Sequence, residues 1–336
     1  MKYDKILLEH GGGGLLSNEL IAEYFLHHFK NHYLERLEDS AVLTIGNQKF
    51  CFTTDSYVVS PIFFPGGNIG SLAVHGTVND LSVCGGKPLY LSCGFILEEG
   101  FPFDSLETII QTMAKAAAEA NVNIVTGDTK VVTRGAVDGI FINTSGIGLV
   151  EYPGLLAVKN IQPGDAIILN GTIGDHGAAI MKTRENLGLT AEIISDSAPL
   201  NDLIAGVLKA SPNIHCMRDA TRGGLGAIMA EIAKSAQVRI DVNENSIPVQ
   251  DNVRGVCEIL GLDPLFLANE GKMILFCPAS DAETVLAAMR SHKYGLNASI
   301  IGSVSHAAKG RVVLKTSIGG ERIVDLPTGE LVPRIC

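Results

Sequence analysis

The chain has 336 residues, 46% of them hydrophobic and 18% charged, enough for about two ordinary domains with sizeable cores. Its net charge of -10, from 26 basic and 36 acidic residues, argues against a general binder of nucleic acid or anionic membrane, which would show basic clusters. No stretch approaches the roughly 18 apolar residues of a membrane span, and the first ten residues hold no signal-peptide core, so the expectation is a cytoplasmic protein without a membrane partner.

Near the start, Gly11-Gly12-Gly13-Gly14 follows His10. Four glycines can bring backbone amides close to an anion. No Gly-Lys-Ser/Thr follows and no GxGxxG opens a helix, so this is no Walker A loop. By itself the run suits a hinge as well as a binding loop. His27, His28 and His32 come next, with 28 and 32 one helical turn apart. That spacing can bind zinc. Leu20, Tyr24 and Phe29 instead suggest an amphipathic helix, and no HExxH arrangement is present, so the helix is preferred.

Strand-like runs then alternate with helical ones. Strands are expected at 49–55, 90–97, 139–150, 165–171, 273–278, 298–304 and 311–316. In 105–120, Leu106, Ile109, Ile110, Met113, Ala114 and Ala117 recur at helical spacing, and Asp104 with Glu107 resembles an N-terminal cap. In 281–291, Val285, Leu286 and Met289 line one face, with Ser280 and Glu283 as a capping box. The mixture indicates an α/β or α+β protein. The segment 151–164 holds two Pro-Gly pairs and is the best domain boundary.

Aspartates at strand ends are the stronger chemical signal. Asp39 precedes an apolar run, Asp55 ends Phe52-Thr-Thr-Asp, Asp80 lies in Val78-Asn-Asp-Leu, and Asp128 ends Ile124-Val-Thr-Gly-Asp. Carboxylates from separate segments suit Mg²⁺, which takes oxygen ligands and shares them with phosphates. Taken singly, each is better read as a turn or helix cap. Asp219-Ala-Thr-Arg-Gly-Gly leads into a helix faced by Leu225, Ile228, Met229 and Ile232. Paired glycines at a helix N-terminus can cradle phosphate, and Arg222 can add a bidentate contact; an ordinary glycine turn competes. Lys130 follows Thr126-Gly-Asp-Thr, and Glu270 opens the strand after Asn269. Either can act as base or charge stabiliser beside phosphates, although a solvated surface charge is the plainer reading of each alone.

Seven cysteines are scattered without a CxxC, so most are expected to be small buried apolar residues. Cys336 differs. It ends Pro333-Arg-Ile-Cys, after an acidic, proline-flanked stretch that begins at Leu326. Such a tail favours extended, mobile structure over helix. That describes a thiol on a short arm: a carrier, or a bystander.

Together and in this order, several segments resemble the superfamily of ATP-using enzymes that includes aminoimidazole ribonucleotide synthetase, thiamine-monophosphate kinase and selenophosphate synthetase. Within it they are similar to the HypE family of hydrogenase-maturation carbamoyl dehydratases. The segments are His10-Gly-Gly-Gly-Gly, Thr54-Asp-Ser-Tyr-Val, Phe64-Pro-Gly-Gly-Asn-Ile-Gly, Val78-Asn-Asp, Leu91-Ser-Cys-Gly-Phe, Thr126-Gly-Asp-Thr-Lys-Val-Val, Gly174-Asp-His-Gly, Arg218-Asp-Ala-Thr-Arg-Gly-Gly, Ala268-Asn-Glu-Gly-Lys and the terminal Pro-Arg-Ile-Cys. The tail and Thr126–Val132 are specific to HypE; the Asp and Gly motifs are superfamily-wide. Gly85-Gly86 replaces a more usual Gly-Ala and is expected to matter little.

The resemblance implies an aminoimidazole ribonucleotide synthetase-like fold: an N-terminal ATP/Mg²⁺ and dimerisation domain (1–155), a C-terminal α/β domain (156–325) and a mobile arm (326–336). The N-terminal sheets of two chains would pair into the barrel-like core of a homodimer. Asp39, Asp55, Asp80 and Asp219 match the metal-ligand positions, with Asp128 weaker. ATP would meet Gly11, Gly12, Gly13, Thr54, Gly127, Asp128, Thr129, Thr221, Arg222, Gly223, Gly224 and Asn269. Cys336 would receive a carbamoyl group from HypF, and ATP-dependent dehydration, with Glu270 and Lys130 as bases, would leave a thiocyanate. The arm would then deliver cyanide to HypC–HypD. Two other readings compete: a kinase or synthetase of the same superfamily, which needs no terminal thiol, and an ATP-gated binding module whose tail merely docks.

Overall fold

The computed structural model describes residues 3–185, 188–307, 309–329 and 332–336. Glu330 and Leu331 of the expected arm therefore lie outside the described residues. In chain order the strands are β1 (Ala41–Ile45), β2 (Gln48–Tyr57), β3 (Phe63–Phe64), β4 (Gly67–Asn68), β5 (Gly86–Glu98), β6 (Asn123–Val132), β7 (Ile140–Val150), β8 (Asp165–Leu169), β9 (Cys216–Asp219), β10 (Arg239–Asn243), β11 (Met273–Pro278), β12 (Ser299–Ser305), β13 (Arg311–Lys315) and β14 (Glu321–Val324). They form a sheet in the order β1-β2-β7-β5-β6, a sheet in the order β14-β13-β10-β12-β8-β11-β9, and the small pair β3-β4. The segment 151–164 runs between the two large sheets.

In the first sheet only β5–β6 is parallel. The helices Ile69–Val83 and Phe103–Glu119 pack together, and Ile69–Val83 lies on β2, β5 and β7. Every residue of Ile69–Val83 is buried except Asp80. A helix covered on all sides has no polar stripe to announce it, which is why periodicity did not reveal it. Asn68 starts it by accepting from the amides of Gly70 and Ser71 at 2.8 and 3.3 Å, satisfying two of the otherwise orphaned N-terminal donors.

The other face of this sheet is bare. Side chains alternate across a strand, and the register places Phe52, Ile147 and Tyr90 in one row. Phe52 and Tyr90 are half exposed. Strand β6 is the sheet edge and is exposed from Asn123 to Val131. Among the described residues the single chain thus forms an open sheet and no barrel. In the second half, both faces of the seven-stranded sheet are covered, with a cluster around Phe276, Ile240 and Met229 on one side and around Leu275, Ile168 and Met289 on the other.

Several local expectations need correction. The helix Phe103–Glu119 begins after Pro102, and neither Asp104 nor Glu107 caps it; Ile110 is half exposed, and Ala116 joins Ile109, Met113 and Ala117 on the buried stripe. The helix Ala282–Arg290 follows Asp281 without a capping box, because Ser280 Oγ donates to Asp281 instead. Asp80 rides on a helix rather than a strand end, and Asp128 sits inside β6. Gly86 matters more than expected. A Cβ there would collide with Cys51 Sγ, which fills the space beside it.

Candidate functional site

Three acidic residues reach one point from different elements. Asp39 precedes β1, Asp80 comes from the last turn of the helix Ile69–Val83, and Asp219 closes β9. One carboxylate oxygen from each lies within 4.8 Å of the others. Asp55 stands on the same, covered side of β2, where it accepts from Tyr57 Oη at 3.2 Å and shares a hydrogen bond with Asp80. Burial raises the proton affinity of all four, and repulsion between the acids adds to it at Asp39, Asp80 and Asp219. Arg218 partly offsets this through a 2.6 Å bond to Asp39. Asp39 Oδ2 is buried without a hydrogen-bond partner. An all-oxygen set with mutually repelling charges and an orphaned ligand atom fits a hard divalent cation. Among the described residues no other group of three or more acids, histidines and cysteines gathers this closely, and His27, His28 and His32 do not converge. His32 also lies beyond the helical turn His27–Phe29.

The glycine loops meet across this cleft. Gly13 has φ +74° and packs its backbone against Arg222, where an added Cβ would lie 3.2 Å from the Arg222 carbonyl oxygen. Arg222 Nη1 donates to the Gly11 carbonyl at 2.9 Å. Gly223, at φ +73°, caps the helix Gly224–Ala236. Two conformations that L residues resist thus place the N-terminal loop on the first turn of that helix, and the run is no loose hinge. Thr221 accepts the Gly224 amide through its carbonyl.

Glu270 is 2% exposed, and its Oε1 has no hydrogen-bond partner. Burial pushes its carboxyl well above the usual range, helped by the charges of Asp196, Asp219 and Asp55. Two residues fix the segment around it. Asp196 accepts from the amides of Glu270 and Gly271 at 3.1–3.3 Å and pairs with Lys272 at 3.1 Å. Asn269 accepts from Gly174 N at 2.7 Å and donates to Ala220 O at 2.7 Å. The Asn269 amide is therefore engaged in bracing the loops, not in reaching outward.

The remaining expected residues fall elsewhere. Thr54 projects from the open face of the first sheet, bonded to Ser145 and Asn143. Asp128 and Lys130 lie in the same face through their register with Gly94 and Ile96. They form an exposed pair at 2.7 Å, and Lys130 holds the Asp128 carboxyl below its ordinary range. Gly127 and Thr129 alternate to the other side of β6, against Cys93 and Phe95. Within one chain, Thr54, Asp128 and Lys130 are thus on the face opposite the acidic cluster.

The last residues are docked. Val58 N donates to Cys336 O at 3.0 Å and Ser60 N to Arg334 O at 3.1 Å, an antiparallel extension of β2. Ile335 is 4% exposed and Cys336 is half-buried, whereas the other six cysteines are buried. Arg334 adopts φ +52°, held by bonds from its guanidinium to Val58 O and Asp138. A residual cavity of about 20 Å³ is lined by Gly12, Arg222, Gly223, Ala268, Val332 and Ile335. Through Val332 and Ile335 the tail thus borders the glycine loops and Ala268.

Sequence reasoning missed three supports. Thr53 Oγ1 lies 2.7 Å from Asp80 Oδ2; its alternation with Thr54 was the available signal. Asp196 carried none, since its role is to accept backbone amides from a distant segment. His176, inside Gly174-Asp-His-Gly, is fully buried and bonds the Ile335 carbonyl at 2.7 Å.

The AIR synthase related protein family matches over residues 37–150 with its N-terminal domain and over 162–315 with its C-terminal domain. The carbamoyl dehydratase HypE of Azotobacter vinelandii is 49% identical over 337 residues, covering 100% of this chain and 98% of that protein. Among solved structures, a HypE-HypF complex superposes with TM-score 0.87 at 48% identity, covering 92% of this chain and 99% of that one. HypE in complex with ATP superposes with TM-score 0.83 at 48% identity, covering 99% of this chain and 100% of that one.

Proposed function

Because the chain belongs to the AIR synthase related family and, within it, to the HypE carbamoyl dehydratases, we propose that it uses ATP to dehydrate a carbamoyl group carried on the Cys336 thiol. The product is a thiocyanate that supplies cyanide for the iron of [NiFe] hydrogenase during maturation. The observation that carries this reading is the docked tail, in which Cys336 is bonded to Val58 and its neighbour Ile335 lines a small cavity with the glycine loops and Ala268.

An amide oxygen is a poor leaving group. Its attack on the γ-phosphorus of ATP forms a C–O–P linkage, breaks the bond to ADP and releases one nitrogen proton. Loss of the second nitrogen proton then forms C≡N as the C–O bond breaks and phosphate leaves with the electron pair. The sum is thiocarbamate plus ATP giving thiocyanate, ADP, hydrogen phosphate and a proton. Glu270 is the base assigned to a nitrogen proton, since a buried carboxylate has the raised proton affinity that a base needs. Arg222 and the amides of the glycine loops hold the phosphates. Asp39, Asp55, Asp80 and Asp219 would hold Mg²⁺, which supplies charge neutralisation to the phosphates when bound.

The homodimer belongs to the same proposal. The bare face with Phe52 and Tyr90 and the unpaired edge β6 suit a second copy, whose sheet would complete the core expected from the family. Lys130 and Asp128 lie on that face, so Lys130 reaches the chemistry from a paired copy. The division into 1–155, 156–325 and an arm at 326–336 follows the two sheets and the tail. HypF is proposed as carbamoyl donor and HypC–HypD as cyanide acceptor. A carrier thiol needs a reducing compartment, which favours the cytoplasm. Among the described residues no helix is long and apolar enough to cross a membrane.

Intact mass tests the proposal. With HypF, carbamoyl phosphate and ATP, Cys336 should gain about 43 Da and then lose about 18 Da as water, the formula masses of a covalent carrier cycle. Unchanged mass with active HypF, or a gain mapped to another residue, would overturn it.

A further inference from the structure

The helix Asp175–Arg184 touches the tail at both of its ends. At its C-terminal end, Arg184 donates to the carbonyls of Ser60 through Nε at 3.0 Å and Nη2 at 2.5 Å, of Pro333 through Nη1 at 2.8 Å, and of Arg334 through Nη2 at 3.0 Å. One planar guanidinium thus bridges the tail and the strand extension it lies on. At the N-terminal end, His176 Nε2 is 2.7 Å from the carbonyl of Ile335, the residue bonded to Cys336. A carbonyl only accepts, so Nε2 carries the hydrogen. Nδ1 then accepts from Ser195 Oγ at 2.7 Å, and Ser195 Oγ accepts from Ser197 N at 3.1 Å. The tautomer is fixed by its partners.

The same helix is tied to Glu270 from two sides. The amide of Gly174, its N-cap, is held by Asn269. Ser195, the partner of His176, precedes Asp196, which grips the amides of Glu270 and Gly271. One helix is therefore linked by hydrogen bonds both to the thiol-bearing arm and to the residues that flank Glu270.

We propose that Arg184 and His176 form a carbonyl clamp that sets the Cys336 arm in register with Glu270, acting as positioning residues for the dehydration step and not for loading of the thiol. This rests on the dehydratase reading above. The arm must leave the clamp to be carbamoylated and return to it to be dehydrated. Weakening the clamp should slow only the second event.

The test uses the full-length chain, with Arg184→Gln and Arg184→Lys. Arg184 lies at the partly exposed end of the helix, so its replacement leaves the core around His176 closed. Iodoacetamide labelling read by peptide mass reports arm release, because the other six cysteines are buried. Arg184→Gln should speed labelling of Cys336 about tenfold, the equivalent of about 1.4 kcal/mol, without labelling the buried cysteines. In single turnover on chain already carbamoylated by HypF, it should slow dehydration by a similar factor while the rate of carbamoylation holds or rises. Arg184→Lys, which keeps a cation but not the fork, should fall between. Labelling of Cys336 within twofold of wild type overturns the clamp. Faster labelling with unchanged dehydration overturns the positioning role. A wild-type chain that shows no ATP-dependent mass loss would instead sink the dehydratase reading, and labelling alone would still decide the clamp.

Discussion

His75 is buried, with Nδ1 3.0 Å from Ser197 Oγ and Nε2 lacking a partner. Burial brings its pKa down to about 4, against a weak upward pull from Glu119. The unfolded chain takes up this proton near pH 6.5, so between 6.5 and 4 the unfolded state binds more protons than the folded one. Stability from this group is present above 6.5 and lost as pH falls toward 4, by about 3 kcal/mol at most. Urea unfolding at pH 7.5 and 4.5 should show that loss, and His75→Gln should shrink it; an equal loss in the variant would remove His75 as the cause. Glu270 is the proposed base. Glu270→Gln keeps shape and burial but cannot accept a proton. Single-turnover dehydration should fall by at least about 100-fold, within the usual range for a lost general base, while ATP binding persists. A fall below tenfold would reassign the base.

At the level of elements, the first sheet depends on small residues beneath Cys51. Cys51 in β2 faces Gly148 in β7, and Gly86 at the start of β5 leaves room for its sulfur. A Cβ on Gly148 would also lie only 2.8 Å from that sulfur. Gly86→Ala should therefore destabilise the chain by about 1–3 kcal/mol through overpacking. Adding Cys51→Ala should restore part of the loss, since neighbours that share a space couple non-additively. Shifts in the urea midpoint measure both; strict additivity would show that the two positions do not share the space.

For the whole molecule, the open sheet face is the decisive surface. Tyr90 stands in its middle, in one row with Ile147 and Phe52. Sedimentation should give twice the 35.6 kDa chain mass for the wild type, and Tyr90→Asp should give the single chain, because a desolvated charge at an apolar interface is strongly unfavourable. The variant should also lose the contribution of Lys130 to dehydration. A wild type that sediments as one chain would remove the homodimer and the trans role of Lys130 together.

The sequence by itself determined what depends on short-range pattern. Strands such as β2 and β7, the apolar-faced helix Gly224–Ala236 and the paired glycines at its start were legible because residue pattern and turn chemistry are local. Asp39, Asp80 and Asp219 were named as ligands by resemblance, and their separate segments meet. Tertiary structure alone decided three things. It buried the helix Ile69–Val83 on every side, which erased its periodicity. It placed Thr54 and Lys130 across the sheet from the acids, since strand alternation assigns faces only once register is known. It also docked the Cys336 arm through Val58, His176 and Arg184, whose distant bonds no spacing along the chain encodes.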